Sequence, residues 1–148
     1  MDKLLKKILG GNSFSGVSKV RSRMMSSIRG KRNRSTEQTM RMLLTRGGVR
    51  GWKLQAQNLP GTPDVYFPKR NVALFVDGCF WHGCPKCGHI PKTRSKFWRA
   101  KIQRNKKRHA LVAQQLRRLG VRTVRIWEHC LNSTSTQSQT LDRLRKIL

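Results

Sequence analysis

Two aspartates and a histidine occur at spacings that could support phosphoryl chemistry. Asp64 follows Pro63 at the start of a predicted strand, and Asp77 ends the apolar run after the next turn. If the two strands form a hairpin, a carboxylate at the start of one lies opposite the end of its partner, where a divalent cation could be shared. His82 follows in the next loop, and its imidazole could transfer a proton near neutral pH. The pattern favours metal-assisted hydrolysis of a phosphodiester.

Three cysteines lie within nine positions of this same loop. Cys79, Cys84 and Cys87 are interspersed with glycine and proline, which is ligand spacing for a tetrahedral zinc ion. A fourth ligand must come from elsewhere, and His129 or Cys130 could supply it. The alternatives are disulfides or free reduced thiols, but nothing in the sequence marks secretion. Four protein ligands would make the zinc structural, joining the loop to the segment that carries His129 and Cys130.

Phe80 and Trp81 directly precede His82. Aromatic side chains in a loop beside metal ligands are costly to expose unless something covers them. Two interpretations remain open: the rings belong to the core, or they insert between base pairs of a duplex.

The charge of the chain indicates the partner. Of 148 residues, 33 are Lys or Arg and only 6 are Asp or Glu, which gives a formal net charge of +27. Nucleic acid is the favoured partner and an anionic membrane surface the second. Each rare acid could simply pair with a surplus cation, or it could hold a metal ion near phosphate. Because no apolar run reaches about 20 residues and lysines interrupt the first ten positions, we expect no transmembrane or secretory segment and a cytoplasmic location.

The elements that must position these residues can be read from periodicity. Apolar spacing predicts a helix from about Ser35 to Gly47 and a long basic helix from a Ser95 cap to about Leu119. The predicted buried stripe of the long helix consists of Phe97, Ile102, Leu111, Val112 and Leu116. Predicted strands cover 52–57, 64–67, 72–76 and 121–127, followed by a polar linker at 132–139 and a short helix at 141–148. The order predicts an α/β fold with a mixed sheet flanked by helices.

Several blocks together resemble the very-short-patch repair (Vsr) DNA mismatch endonuclease family. The blocks stand in order and at the right distances over roughly residues 22–131. They are MSSIRGK at 25–31 with Glu37, LPGTPD at 59–64, FVDGCFWHGCP at 75–85, FWRAKI at 97–102 and RIWE at 125–128.

The resemblance implies a restriction-endonuclease-like fold with a PD-(D/E)xK-type core and structural zinc. It implies a magnesium-dependent enzyme that nicks duplex DNA on the 5′ side of a mismatched thymine, the product of 5-methylcytosine deamination. Position 79, where that superfamily often has lysine, is a cysteine here.

Individual roles carry over from the resemblance position by position. Asp64 matches the magnesium-binding aspartate, and Val76 matches a residue that offers its backbone carbonyl to the metal. His82 matches the catalytic histidine, Glu37 an acid that orients it or a water, and Asp77 a position held by histidine or aspartate. The matched zinc ligands are Cys79, Cys84, Cys87 and His129, with Cys130 as second choice. The matched intercalating residues are Phe80, Trp81, Trp98 and Met25. Many family members carry Asp where His109 stands.

The expected organisation is a basic flexible arm at 1–21, an endonuclease domain at 22–131, and a polar linker with a short helix at 132–148. We expect a monomer that binds double-stranded DNA in a bacterial or phage setting, with repair or mobile-element accessory proteins as further partners. Three alternatives remain: a homing or mobile-element endonuclease of the same fold, a non-catalytic basic subunit of a nucleoprotein complex, and a ribosomal-type zinc-ribbon protein.

Overall fold

The computed structural model of the protein describes residues 34–148. Met25 and the predicted arm at 1–21 lie outside the described residues. The chain forms helix α1 (Arg34–Arg46), strands β1 (Lys53–Leu54), β2 (Val65–Phe67) and β3 (Val72–Asp77), helix α2 (Ser95–Arg118), strand β4 (Arg122–Trp127) and helix α3 (Thr134–Ile147). Short 3-10 turns cover Pro68–Arg70 and Glu128–Leu131.

The four strands form one mixed sheet in the order β1-β2-β3-β4. The β1–β2 and β2–β3 pairs are antiparallel, whereas β3 and β4 are parallel and are joined through α2. In this register Leu74 of β3 lies opposite Val65 on one side and Val124 on the other. The predicted mixed sheet flanked by helices is therefore confirmed.

Apolar side chains cover both faces of β3, which explains its uninterrupted apolar sequence. On one face Leu74 packs in a cluster with Met40 and Leu44 of α1 and Leu144 of α3. On the other face Ala73 packs in a second cluster that includes Leu116 of α2. The sheet is thus held between helices, and the end of β3 is fixed from both sides.

Two predicted elements differ from the structure. Strand β1 has only two residues, because Gln55 adopts a left-handed conformation with φ 44° and ends it. The segment predicted as a polar linker is helical from Thr134 onward. Ser133 accepts a hydrogen bond from the Thr136 amide, and the Thr136 hydroxyl accepts one from the Ser133 amide, so the helix begins with a capping box.

Helix α2 departs from prediction in two details. Arg94, in a left-handed conformation, occupies the N-cap position, and Ser95 is the first helical residue. Leu111, predicted to be buried, is 59% exposed. It lies one position, about 100° of helical rotation, from Val112, which packs against the core. No helix in the described part of the chain combines the length and apolarity that crossing a membrane requires.

The docking of α3 gives a first prediction. Leu144 is fully buried, and Leu144→Ala should lower the free energy of unfolding by about 2–5 kcal/mol, because it removes apolar contacts and leaves a cavity. Urea denaturation measures the change. Leu111→Ala is the control, and an equal loss in both variants would show that α3 is not docked as described.

Candidate active site and metal centre

Asp64 lies beside the end of strand β3, although β2 does not begin until the following residue. One carboxylate oxygen, Oδ2, accepts a hydrogen bond of 2.7 Å from the backbone amide of Val76. The antiparallel β2–β3 register produces this contact, because it places Val65 opposite Leu74 and carries Asp64 towards the last residues of β3. The hairpin predicted from the sequence therefore does bring Asp64 to the Val76–Asp77 end of the strand.

The surroundings of Asp64 disfavour its charge. The pKa of Asp64 is raised to about 6, mainly by burial and also by the nearby Glu37 and Asp77 carboxylates, whereas the Val76 amide and Arg125 act in the opposite direction. Glu37 accepts a hydrogen bond of 3.3 Å from the Gln55 side chain. Three of the six acids in a strongly basic chain thus gather in one place. A bound cation would offset their mutual repulsion.

Asp77, the last residue of β3, is buried and ion-paired. Its two carboxylate oxygens lie 2.6 and 2.9 Å from one guanidinium nitrogen of Arg125, on the adjacent parallel strand β4. Nδ1 of His109, on α2, lies 4.0 Å from Asp77 Oδ2. Asp77 is therefore already partnered by a permanent cation, unlike Asp64.

His82 stacks on His109. The two imidazole rings are 4.2 Å apart between centroids and inclined by 24°. Burial lowers the pKa of His82, and burial together with Arg125 lowers the pKa of His109 to about 4. Both shifts favour the neutral form of these rings at pH 7. The buried His82 Nδ1 has no hydrogen-bond partner among the described residues.

A cluster of three thiols and one imidazole lies next to this pair. His129 Nδ1 is 3.3, 3.6 and 3.3 Å from the sulfur atoms of Cys79, Cys84 and Cys87 respectively. Cys130, the second choice for this position, instead packs against the core on the α1 and α3 face. The structure thus groups three cysteines with His129 in an arrangement that could hold a metal ion.

The 3-10 turn that carries His129 also holds the loop that follows β3. Glu128 Oε2 accepts a hydrogen bond of 3.2 Å from the Cys79 amide, close to Gly78. On the other side of the loop, Asn105 of α2 donates a hydrogen bond of 2.8 Å to the Trp81 carbonyl. Loop residues 78–82 are therefore fixed from the turn after β4 and from α2.

The aromatic residues form a surface cluster. The Phe80 ring is 5.1 Å from Trp81 and 5.2 Å from Trp98, and Trp98 is 6.1 Å from Trp81. All three are only partly buried and lie apart from both core clusters. The Lys101 amine lies 5.0 Å from the Trp81 ring, so a cation accompanies the cluster.

Sequence reasoning missed several residues that complete this site. Arg125 and Glu128 were recognised only as part of a motif, and His109 only as a position where many family members carry Asp. Asn105 was not singled out. The four-residue spacing of Asn105 and His109 was a usable signal, because it places both on one face of α2. The signal for Arg125 was the alternation of β4, which directs it to the face opposite Val124 and Ile126.

Comparisons with known proteins agree with this geometry. The family model described as DNA mismatch endonuclease Vsr matches residues 17–89. Over 127 residues, 84% of this chain and 89% of the relative, the sequence is 39% identical to the type II nicking enzyme V.XorIIP of Xanthomonas oryzae pv. oryzae. Over 113 residues, 75% of this chain and 70% of the relative, it is 34% identical to the DNA mismatch endonuclease Vsr of Escherichia coli K12.

Three observations point to one assignment: the resemblance of the sequence motifs, the mixed sheet between helices, and the extent of these matches. The chain belongs to the Vsr family and is a DNA endonuclease.

Proposed function

We propose that this protein is a Mg²⁺-dependent endonuclease that nicks one strand of duplex DNA on the 5′ side of a mismatched thymine. The observation that carries the proposal is the position of Asp64 beside Val76, Glu37 and Asp77, with neutral His82 in the adjoining loop. The names of the two relatives, a mismatch endonuclease and a type II nicking enzyme, support both the substrate and the single-strand cut.

Asp64 suits a hard divalent cation. Magnesium prefers carboxylate and carbonyl oxygens, and the Asp64 carboxylate, with the Val76 backbone carbonyl that the resemblance implies, would hold it. The raised pKa of Asp64 supports this role, because a nearby cation favours the ionised carboxylate that burial disfavours. When bound, the ion supplies positive charge to the scissile phosphate and lowers the pKa of water that it coordinates.

His82 is the proposed proton-transfer residue. Its ring is neutral near pH 7, so a ring nitrogen can accept a proton from the attacking water. The nearby Asp77 carboxylate favours the imidazolium that this transfer produces. The stacked His109 ring and the loop contacts limit the orientations that His82 can adopt. Asp77 would therefore steer His82, and Glu37 would orient a water or assist Asp64.

The thiol cluster is the proposed structural zinc site. A tetrahedral zinc ion with bonds of about 2.3 Å to sulfur and about 2.05 Å to nitrogen holds these ligands about 3.5 Å apart. The three sulfur–nitrogen distances match that spacing. Burial and the two neighbouring cysteines raise the pKa of the Cys79 thiol to about 12, so the ionised form of this thiol needs a nearby cation.

Phe80, Trp81 and Trp98 are proposed to insert beside the mismatch. Partly exposed aromatic rings next to a proton-transfer residue can stack on bases that a weakened pair leaves accessible. Trp81→Ala should reduce the preference for a T·G duplex over a matched duplex about tenfold, since one stacking contact contributes ~1–3 kcal/mol. Nicking rates on the two duplexes measure the preference. Leu119→Ala, another exposed apolar residue, is the control. Equal losses of nicking rate on both duplexes would show that Trp81 contributes only to the stability of the fold.

The proposed specificity is tested by mapping cut positions on each strand of T·G-mismatched and matched duplexes with Mg²⁺ and with EDTA. We expect one Mg²⁺-dependent nick, 5′ of the mismatched thymine. A site-specific cut in both strands of matched DNA would favour a homing or mobile-element enzyme. If the protein cuts neither duplex with Mg²⁺, the remaining interpretation is a non-catalytic DNA-binding subunit of a nucleoprotein complex.

A further inference from the structure

A second cluster of metal-ligating side chains borders both the Asp64 carboxylate and the thiol cluster but includes no ligand of either. It consists of Asp77 from the end of β3, His82 from the following loop and His109 from α2. One donor atom from each residue lies within 4.8 Å of the other two. One carboxylate and two imidazoles are a ligand set that late first-row divalent ions bind well, and that Mg²⁺ does not favour.

Within the described part of the protein, the Nδ1 atoms of His82 and His109 are not occupied by hydrogen bonds. The buried His82 Nδ1 has no hydrogen-bond partner there. His109 Nδ1 stands 4.0 Å from Asp77 Oδ2, which is beyond hydrogen-bond length. A buried nitrogen without a partner costs free energy, and a bound ion would supply the missing partner.

The three residues need only a small adjustment to converge. Ligands of an ion with bonds of about 2.0–2.2 Å lie about 3–3.5 Å apart. Because the donor atoms lie within 4.8 Å of one another, no separation in the cluster must close by more than about 1.3–1.8 Å. Asp77 and His109 are held by a strand and a helix, and His82 by a loop that is fixed on both sides, so rotation of the side chains would have to bring the three donor atoms together. Arg125 binds the Asp77 carboxylate and fixes its orientation, but its charge opposes a cation, so affinity should be moderate.

We infer that Asp77, His82 and His109 form a second metal site, selective for Zn²⁺, Ni²⁺ or Co²⁺ over Mg²⁺. Occupation of this site would engage His82 and so inhibit nicking. The binding itself does not depend on the proposed function, whereas the inhibition rests on it.

The chain offers a matched set of variants, because its four histidines are His82, His89, His109 and His129. His89 lies in the same loop as His82 but is exposed and outside the cluster, so His89→Ala is the control. Full-length protein carrying one zinc per chain is dialysed against Ni²⁺, and both metals are counted by elemental analysis. We expect one nickel per chain with zinc retained, and at least about tenfold weaker nickel binding in His109→Ala than in His89→Ala.

Three results would overturn the inference: no nickel bound, nickel gained only as zinc is lost, or equal binding by the two variants. Wild-type protein provides an independent readout if His109→Ala does not fold. In proton spectra, paramagnetic Ni²⁺ should broaden the ring signals of His82 and His109 before that of His89. Broadening of His89 first would contradict the site. Nickel that binds as expected but leaves nicking unchanged would count against the proposed role of His82 and not against the metal site.

Discussion

Asp64→Asn should reduce Mg²⁺-dependent nicking by about 10³-fold or more while leaving DNA binding within a factor of a few of wild type. The amide keeps a hydrogen-bond acceptor for the Val76 amide but removes the charge that would hold the cation. Losing several kcal/mol of stabilisation of the transition state corresponds to a rate loss of this size. Single-turnover nicking and a gel-shift titration on the same duplex measure the two quantities.

The matched control for this charge change is Asp142→Asn. Asp142 is exposed on α3 and pairs with Arg145, so its neutralisation adds the same charge to the chain away from the acid group around Asp64. We expect wild-type nicking from this variant. If nicking and DNA binding fell together in Asp64→Asn, the carboxylate would have a structural role rather than a metal-binding one.

The same substitution should stabilise the metal-free protein. The pKa of Asp64 is raised from 3.8 to about 6, so the folded state holds a proton that the unfolded state has released. Stability from this group is present at low pH and is lost as pH rises through about 4 to 6. Above pH 6 the wild type should be about 1–3 kcal/mol less stable than Asp64→Asn, with the difference vanishing near pH 4. Urea denaturation in EDTA at both pH values measures it, and a constant difference would contradict the shift.

Cys84→Ser should have the largest effect on stability. Cys84 is the most buried of the three cysteines, and its loss leaves a three-ligand site that binds zinc poorly. Metal binding in such sites contributes directly to folding, so we expect loss of the bound zinc and of several kcal/mol out of a total of about 5–15 kcal/mol. Zinc content and the midpoint of thermal unfolding report the two effects.

Cys130→Ser is the control that distinguishes loss of the metal from loss of a thiol. Cys130 is partly buried near the same turn but packs against the core and lies outside the cluster. It should keep one zinc per chain with a smaller loss of stability. Unchanged zinc content in Cys84→Ser, or zinc lost equally from both variants, would refute the Cys79, Cys84, Cys87 and His129 site.

The helices and strands that could be predicted from the sequence are those in which the spacing of apolar residues follows the buried faces. The apolar run of β3 could be read because both of its faces are covered, and the alternation of β4 because Val124 and Ile126 face the core while Arg125 does not. The start of α3 was missed because its first turns are rich in Ser, Thr and Gln. That composition is typical of linkers unless the reciprocal capping by Ser133 and Thr136 is recognised.

The parts of the site formed by residues close together in sequence could be predicted. The parts formed by contacts between distant elements could not. The short hairpin from Asp64 to Asp77 and the cysteine spacing are local, so their geometry follows from sequence. The Arg125–Asp77 ion pair and the stacking of His109 on His82 depend on the β3–β4 register and on how α2 lies over the sheet. Periodicity indicates that α2 has a buried face, but it does not fix which helix residue meets the end of a strand.

The most direct measurement is a crystal structure of the full-length protein bound to a T·G-mismatched duplex in Mn²⁺, with anomalous scattering used to locate the ion. Mn²⁺ accepts the same oxygen ligands as Mg²⁺. We predict a peak at coordination distance from the Asp64 carboxylate, between that carboxylate and a phosphate of the nicked strand. A duplex seated in the site with no ion beside Asp64 would contradict the account.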